Sequence, residues 1–401
     1  MQCFGLLGET LKHSYSPMIH VEFGDYNYKL FEKKPDELDE FFLQRNFDGL
    51  NVTIPYKKSV IKYCNSLSET AKTVGNVNTI IKQKDGTLHG DNTDCFGFLY
   101  LLKKTGADIT DGKIIILGSG GSSLTVQTVL KNENAKEIAI ISRNGADNYK
   151  NISKHNDATM IINTTPVGMY PNTGTSPIKD ISIFKKCRVI IDLIYNPIRT
   201  ELLFQAEKLG IPNVNGLLML VAQAKGSAER FSGSDIPDDE IEKVATKIEK
   251  NTRNIILIGM PGSGKSTTGK ALAKKMNRKF ADTDDLIEEK EGKAAGKIIT
   301  ELGEEAFRKL ETEALETLCK QSSLVIATGG GVVTKPENLN IMRQNGIIVF
   351  LERDINKLTT EGRPLSQQEG LKKLATERLP LYKNWSDFTY EDYISNKRTE
   401  Y

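Results

Sequence analysis

The chain has 401 residues, enough for two or three domains, and with 38% hydrophobic and 26% charged residues its composition is that of an ordinary globular protein. Lysine and arginine total 54 while aspartate and glutamate total 52, so charge gives no electrostatic case for nucleic acid or a membrane surface as the main partner. No apolar run approaches the roughly 18 residues of a membrane helix, and the start MQCFGLLGETLKHS lacks the form of a signal peptide. The five cysteines show no CxxC spacing, and the four histidines form no metal-like cluster. We therefore expect a cytoplasmic protein with reduced thiols and no zinc site.

Strand-like and helix-like segments alternate along the chain, which predicts an α/β architecture with largely parallel sheets. In chain order, the first predicted strands are CFGLLG, GLNVTI, KIIILGS, EIAIISR, ATMIINTT and RVIIDLIY, and the helices between them include DCFGFLYLLKKTG and NGLLMLVAQAKGSAERF. The turn-rich SGSDIPDD follows, and Pro237 then opens an amphipathic helix. Because the strand NIILIG starts directly after that helix, we place a domain boundary near Lys250.

Polar residues in the first part of the chain stand at predicted strand ends and helix starts, in GETLKHSYSPMIH, GLNVTIPYK, VGNVNT, GDNTD, IDLIYNP and NGLLMLVAQA. They are Ser14, Ser16, Asn51, Thr53, Lys57, Asn78, Asp94, Tyr195 and Gln223. NTTPVGM, from Asn163 to Met169, follows a further strand. Taken singly, Lys57 is equally compatible with a surface lysine after Pro55, and Asp94 with a helix N-cap.

The segment KIIILGSGGSSLTVQTVL has the order strand, glycine turn and helix. Its turn consists of Gly118, Ser119, Gly120 and Gly121. Such a turn is a weak dinucleotide signal by itself, but the next strand ends in Ser142 and Arg143, where an NAD site would be expected to carry an acidic residue. An arginine there suits a 2′-phosphate and favours NADP(H), with a solvated arginine at a strand end as the alternative.

In their order along the chain these motifs resemble the shikimate dehydrogenases across nearly all of residues 1–250. The resemblance implies a substrate domain of residues 1–98 and 216–250, and a Rossmann-type NADP-binding domain of residues 99–215. It implies that the glycine turn with Ser142 and Arg143 binds the cofactor. The stretch NGADNYKNISKHND departs from the family, because a strand and a helix usually found there look reduced and a second basic residue is missing.

For catalysis the resemblance implies Lys57 and Asp94 as the working pair, with the other polar residues named above contacting the substrate. The chemistry suits these residue types, because negative charge develops on a ketone oxygen when hydride reaches its carbon. An ammonium group can stabilise that charge and supply a proton, and a carboxylate can orient it.

A second phosphate loop, GMPGSGKS, matches GxxxxGK[ST] in full and lies between a predicted strand and a helix, which indicates nucleotide binding in a second domain. The residues expected around the phosphates are Gly259, Gly262, Ser263, Gly264, Lys265, Ser266 and Thr267. Lys265 is expected to reach the β and γ phosphates, and Ser266 to ligate Mg²⁺. A chance glycine turn before a helix is the alternative.

The segments that follow are KFADTDDLIEE, ELGEEAFRKLETE, ATGGGVV, GRPL and ERLPLY. Their candidate residues are Asp282, Asp284, Arg308, Gly329, Gly330, Gly331, Arg363 and Arg378. Each arginine alone is equally typical of a solvated surface charge. In this order, however, the motifs resemble the shikimate kinases over most of residues 251–401, which implies a P-loop domain like that of the nucleoside-monophosphate kinases, with a parallel sheet.

The kinase resemblance also implies roles. Asp284 holds the acceptor hydroxyl and acts as base, and Asp282 with Ser266 serves Mg²⁺. The three glycines, Arg308 and Arg378 bind the substrate, with both arginines facing its carboxylate, and Arg363 comes from a closing lid to meet the transferring phosphate. Two departures predict a weakened grip on adenine: the lid LTTEGRPLSQQEG is short and lacks an arginine, and the chain ends at FTYEDYISNKRTEY where such kinases usually continue into a final helix.

Together the resemblances imply a bifunctional enzyme of aromatic amino-acid biosynthesis that uses NADP(H), ATP and Mg²⁺. It would reduce 3-dehydroshikimate to shikimate and phosphorylate shikimate to shikimate 3-phosphate. A quinate or shikimate catabolic dehydrogenase fused to another small-molecule P-loop kinase remains open, as does a ligand-sensing pseudoenzyme, against which the retained Lys57, Asp94, Lys265 and Asp284 argue. The expected partners are small molecules, and the sequence leaves a homo-oligomer open.

Overall fold

The computed structural model describes residues 2–11, 14–358 and 370–396 of the chain. The contacts between residues divide it into two compact units, Met1–Ile248 and Glu249–Tyr401. Two β-sheets lie in the first unit and one in the second. The α/β class predicted from the alternation of segments is confirmed.

The described residues of the first unit form eleven strands, at Cys3–Gly8 (β1), Asn27–Glu32 (β2), Gly49–Val52 (β3), Ser66–Leu67 (β4), Thr79–Lys82 (β5), Leu88–Asp91 (β6), Lys113–Leu117 (β7), Glu137–Ile141 (β8), Met160–Asn163 (β9), Val189–Asp192 (β10) and Asn213–Val214 (β11). Its helices are Ser16–Phe23 (α1), Leu38–Gln44 (α2), Glu69–Val74 (α3), Asp94–Thr105 (α4), Gly121–Asn132 (α5), Glu201–Lys208 (α6), Leu217–Ser232 (α7) and Asp239–Thr252 (α8).

The N-terminal sheet has the strand order β2-β1-β3-β5-β6-β4. It is mixed, because β5 runs antiparallel to both β3 and β6 while the other pairs are parallel. The carboxyl end of β3 leads to Thr53 and Lys57, and that of β6 leads to Asp94 at the start of α4. The sheet therefore delivers the candidate polar residues from its strand ends.

The second sheet has the order β11-β10-β9-β7-β8, and all its strand pairs are parallel. The predicted strand KIIIL is almost entirely buried, as a strand covered on both faces requires. The order reverses beside β7, which places the glycine turn after β7 at the switch point where open α/β sheets bind ligands.

The second unit contains the strands Asn254–Ile258 (β12), Lys279–Asp282 (β13), Leu324–Ala327 (β14), Gly346–Phe350 (β15) and Phe388–Thr389 (β16). Its helices are Lys265–Lys275 (α9), Thr283–Glu291 (α10), Ala295–Leu302 (α11), Glu304–Cys319 (α12), Glu337–Arg343 (α13), Leu371–Trp385 (α14) and Tyr390–Asn396 (α15). The strands form one parallel sheet in the order β13-β14-β12-β15-β16.

Short 3₁₀ turns complete the described structure, at Pro35–Glu37, Ser59–Tyr63, Ile152–His155, Ile181–Ile183, Val332–Thr334 and Ile355–Lys357. Between β8 and β9 the fully described stretch contains the turn Ile152–His155 and no strand or α-helix. The reduction predicted for this stretch is therefore confirmed. In the described parts of the chain, no helix is both long and apolar enough to span a membrane.

The prediction that the final helix is missing is wrong. After β16 joins the edge of the parallel sheet, the chain forms α15, and Tyr393 of this helix is buried in the hydrophobic cluster that also contains Ile255 and Val349. Tyr390, Tyr393 and Ile394 share one helix face at spacings of three and four residues, which supplies the apolar stripe that packs on the sheet. A helix of this length is easily overlooked because its apolar face has only three members.

Candidate functional sites

The predicted catalytic pair of the first unit is in direct contact. Lys57 Nζ lies 2.6 Å from Asp94 Oδ2, and Asn78 Nδ2 donates to Asp94 Oδ1 at 2.9 Å. Asp94 is buried at the first turn of α4, and Lys57 lies half-buried on the loop after β3. Both oxygens of the carboxylate are therefore partnered, and the ammonium group has a fixed position.

Asn78 is the hub of this site. Its Nδ2 also lies 3.3 Å from Gln223 Oε1 on α7, and its Oδ1 accepts from the backbone N–H of Thr93 at 2.7 Å. The Gln223 amide in turn donates to the Leu220 carbonyl at 2.8 Å. The structure therefore brings together four predicted residues from four segments, and Thr93 is an additional member that sequence analysis missed.

The two predicted serines join the site through a tyrosine. Tyr28 donates to Asn51 Oδ1 at 2.8 Å and hydrogen-bonds the side chain of Ser16. Asn51 Nδ2 donates to Ser227 Oγ at 2.7 Å, and Ser14 Oγ accepts from the Ser16 N–H at 3.2 Å. Tyr28 belongs to the edge strand β2, whose residues are all exposed or half-buried, and sequence analysis did not single it out.

Thr53 and Tyr195 lie in the same unit but are not hydrogen-bonded to the catalytic pair. The Tyr195 ring packs 5.1 Å from the ring of Tyr15, and burial raises the pKa of its phenol to about 12, so it is a neutral hydrogen-bond donor near pH 7. Among the described residues, neither Thr53 nor Tyr195 forms a hydrogen bond to Lys57 or Asp94. Their predicted contact with a substrate stays a prediction.

The glycine turn after β7 has the geometry of an anion cradle. Gly118 has a φ of +103°, and a Cβ atom at Gly120 would meet nothing within 4 Å. Ser119 stands between them, and α5 begins at Gly121, so its first N–H groups face the open space. These residues fit the pyrophosphate of a dinucleotide, which needs close approach to the backbone.

Ser142 and Arg143 follow β8, next to this turn in the sheet. Arg143 is exposed, and its charge lowers the pKa of Tyr149, although burial raises that pKa more strongly. Asn76 Nδ2 donates to the Gly121 carbonyl at 3.5 Å and so ties the turn to the segment that holds Asn78. An exposed guanidinium group at this position fits a phosphate ligand.

The phosphate loop of the second unit has the predicted form. Gly259, Gly262 and Gly264 all have positive φ angles, of 150°, 79° and 90°, which lets the backbone N–H groups turn inward. Lys265 Nζ donates to the carbonyls of Gly259 and Met260, at 2.9 and 3.0 Å. The loop therefore fits a phosphate group and holds its lysine close by.

The predicted metal residues are also in contact. Ser266 Oγ donates to Asp282 Oδ2 at 2.6 Å, and Asp282 Oδ1 caps α10 by accepting from the N–H of Asp284 at 3.0 Å. A hydroxyl and a carboxylate beside a phosphate loop fit Mg²⁺, which takes few protein ligands and completes its shell with water and phosphate oxygens. The described residues contain no group of three or more histidine, cysteine or acidic side chains placed to hold a metal.

Two arginines and a buried acid form a second group of charged side chains in this unit. Arg308 Nη1 donates to Glu311 Oε2 at 2.6 Å, and Glu311 is completely buried. Arg378 Nη1 donates to the Gly330 carbonyl at 3.3 Å, which also accepts from Tyr382. A Cβ atom at Gly331 would lie 2.0 Å from Arg308 Cζ, so only glycine lets this guanidinium group lie on the backbone.

Most of these groups line one cavity of about 380 Å³. Its lining includes Gly262, Gly264, Lys265, Ser266, Thr267, Asp282, Asp284, Arg308, Glu311, Gly329, Gly330, Gly331 and Arg378. Asp284 Oδ1, Glu311 Oε1 and Arg378 Nε are buried there without a hydrogen-bond partner among the described residues. Burial raises the pKa of Asp284 to about 7, and the charges of Asp282 and Glu311 add to the rise.

Some predicted residues lie outside this cavity, and some cavity residues were not predicted. Arg363 falls in 359–369, outside the described residues, and Ser263 and Gly259 belong to the phosphate loop without lining the cavity. Sequence analysis gave Phe307 no role of its own, although the quoted ELGEEAFRKLETE places it directly before Arg308, and it missed Glu311. The spacing of three between Arg308 and Glu311 was the available signal.

The two parts of the chain are similar to two different families of known proteins. A family model described as shikimate dehydrogenase substrate binding domain matches residues 6–80, and one described as shikimate kinase matches residues 261–400. A shikimate dehydrogenase (NADP(+)) of Clostridium perfringens (strain SM101 / Type A) is 36% identical over 270 residues, covering 62% of this chain and 99% of the relative.

Two solved structures that are similar to this chain are also dehydrogenases. A shikimate dehydrogenase from Peptoclostridium difficile is 33% identical with a TM-score of 0.58, and the match covers 62% of this chain and 98% of that one. A shikimate 5-dehydrogenase from Thermus thermophilus, solved with NADP(H) and shikimate, is 26% identical with a TM-score of 0.56, and the match covers 62% of this chain and 100% of that one.

Proposed function

The chain belongs to the shikimate dehydrogenase family and carries a shikimate kinase domain after it, and on that premise we propose that it is a bifunctional enzyme of aromatic amino-acid biosynthesis. Residues 1–250 reduce 3-dehydroshikimate to shikimate with NADPH. Residues 251–401 transfer the terminal phosphoryl group of MgATP to shikimate and form shikimate 3-phosphate. The partners are small molecules, and the proposed location is the cytoplasm.

One observation carries the proposal: each unit holds its own reactive acid beside its own cation. The first pairs Asp94 with Lys57 at 2.6 Å, and the second places Asp284 and Lys265 on one cavity. The product of the first reaction is the acceptor of the second. The pairing of these two activities in one chain therefore has a chemical reason.

In the first unit, the glycine turn after β7 and Arg143 would hold NADPH, which would supply hydride to the carbonyl carbon. Lys57 stabilises the negative charge that develops on the carbonyl oxygen and donates a proton from Nζ, so the ketone gains hydride and proton and becomes an alcohol. Asp94 directs the ammonium group at the oxygen, and Asn78 holds Asp94 in place. Asn78 and Gln223 bind the ring hydroxyls. General acid assistance of this kind contributes roughly 10²–10⁴-fold.

In the second unit, Ser266 and Asp282 would hold Mg²⁺, which would supply positive charge against the phosphate oxygens. Lys265 exchanges its loop carbonyls for phosphate oxygens. Asp284 accepts the proton of the acceptor hydroxyl, whose oxygen forms the new bond to phosphorus while the bond to the ADP oxygen breaks. Arg308 and Arg378 bind the acceptor carboxylate and so set the distance between hydroxyl and phosphorus.

Substrate tests on the purified full chain distinguish this proposal from a catabolic dehydrogenase fused to another kinase. The oxidation rates of shikimate and quinate with NADP⁺ and NAD⁺ are compared, and phosphorylation is measured with shikimate and quinate as acceptors. The proposal requires shikimate with NADP⁺ to give the highest kcat/KM for oxidation and shikimate to be the preferred acceptor. Preference for quinate with NAD⁺, or failure to phosphorylate shikimate, contradicts it.

A further inference from the structure

Glu304 connects the two arginines that are proposed to bind the acceptor carboxylate. It stands in the first turn of α12, one turn before Arg308, and its Oε1 accepts from Arg308 Nε at 3.2 Å and Nη2 at 3.0 Å. The same oxygen lies 4.0 Å from Arg378 Nη2, which α14 supplies. One carboxylate oxygen therefore faces guanidinium groups from two different helices.

Glu304 contacts the arginines from outside the cavity. Arg308 and Arg378 are both 5% exposed and both line the cavity, whereas the Glu304 side chain is 40% exposed and does not line it. Glu304 therefore leaves the cavity side of each guanidinium group open. Its charge also offsets the repulsion between two buried cations that must face the same ligand.

The other contacts of the two arginines show why their approach to Glu304 matters for their positions. Arg308 is held on its other edge by Glu311, and with Glu304 in place both edges of its guanidinium group are partnered. Arg378 is held less firmly, since its hydrogen bond to the Gly330 carbonyl is 3.3 Å long and its Nε has no partner among the described residues. Glu304 is an acidic group that both guanidinium groups approach within 4.0 Å.

We propose that Glu304 is a positioning residue that holds Arg308 and Arg378 at the separation a carboxylate spans, and thereby selects acceptors that carry a carboxylate. This inference rests on the proposed kinase function. Two cationic forks held in register bind a planar carboxylate with several charge-assisted hydrogen bonds, which unrestrained side chains achieve only with a further loss of entropy.

The first test is Glu304→Gln in the full chain, with Glu305→Gln as the matched control because Glu305 is the neighbour in the same turn. Glu304→Gln should raise the KM for shikimate about tenfold, with a smaller change in kcat and an unchanged KM for MgATP. Glu304→Asp keeps the charge and should recover part of the loss. A KM for shikimate equal to that of the control, or below it, overturns the inference.

The second test separates positioning from general damage to the unit. The probe is the shikimate analogue in which a hydroxymethyl group replaces the carboxylate, so that the arginines have no anion to bind. On this acceptor Glu304→Gln and the unsubstituted protein should have equal kcat/KM values, whereas on shikimate they should differ about tenfold. An equal loss on both acceptors overturns the inference. Failure of the unsubstituted protein to phosphorylate shikimate overturns the proposed function instead, and the inference with it.

Discussion

In the first unit Asp94 has a hydrogen-bond partner on each carboxylate oxygen, Lys57 and Asn78. In the second unit Asp284 and Glu311 each bury an oxygen without a partner among the described residues. The first site keeps its acid and its cation together before any ligand arrives. The second leaves buried acid oxygens unpartnered, at a cost in stability that substrate and MgATP can offset.

We expect the largest effect from removing the lysine of each site, which tests whether the two sites act separately. Lys57→Ala should lower ketone reduction by roughly 10²–10⁴-fold, because the proton donor and the charge partner of Asp94 are lost, and leave phosphorylation of added shikimate unchanged. Lys265→Ala should do the reverse. Initial rates of both reactions are measured on each variant, with Lys58→Ala and Lys274→Ala as exposed-lysine controls. Loss of both activities in one folded variant would mean that the sites are not separate.

The second prediction contrasts the two acids directly. Asp94→Asn should weaken the first unit by about 1–3 kcal/mol, because the half-buried Lys57 loses its anionic partner. Hydrogen exchange in peptides of the first unit measures this loss. An unchanged exchange rate would show that the Lys57 pairing contributes nothing to the fold.

Asp284→Asn should instead stabilise its unit at neutral and higher pH. The pKa of Asp284 in the folded unit is raised to about 7, so the stability it contributes is present at low pH and is lost as pH rises through 7. The asparagine variant should therefore be more stable than the unsubstituted protein at pH 8, by about 4 kcal/mol at most, and the difference in stability should narrow at pH 5. Urea unfolding followed by Trp385 reports the second unit, because the chain's single tryptophan lies in its core. The neighbouring Asp285→Asn is the control, and a gap that does not vary with pH contradicts the account.

The third prediction concerns Arg143, a cation that lies exposed beyond the partnered network of the first unit. Arg143→Ala should raise the KM for NADPH about tenfold and change the KM for NADH little, because only NADPH carries a 2′-phosphate. Lys150→Ala, an exposed substitution in the same stretch, controls for the loss of local positive charge. Equal effects on the two cofactors would remove Arg143 from the cofactor site.

The smallest expected effect is a shift in pH dependence. Because Asp284 must be ionised to accept a proton, kinase kcat/KM should fall on the acid side of a pKa that burial and two acidic neighbours raise. Glu311→Gln removes one of those neighbours, so the acid limb should move to lower pH by up to about one unit, whatever the variant's absolute rate. Glu313→Gln, exposed on the same helix, should leave the limb in place. A limb that moves to higher pH contradicts the assignment of Asp284.

The outline of this molecule follows from local sequence, while the fine structure of its sites does not. Runs such as KIIIL and NIILI predict buried parallel strands, and a phosphate loop needs only its own residues and the strand and helix that flank it. Glu304 could not be distinguished by sequence from the solvated charges of an amphipathic helix. Its role depends on α14, whose Arg378 lies far from it along the chain.

The product balance of the full chain tests directly whether one chain carries out the two consecutive reactions. The purified protein is supplied with limiting 3-dehydroshikimate and an excess of NADPH and MgATP, and the products are quantified by mass spectrometry at completion. We expect equal molar amounts of NADPH oxidised, ADP formed and shikimate 3-phosphate produced. Oxidation of NADPH with shikimate left unphosphorylated, or no oxidation at all, would contradict the proposed function.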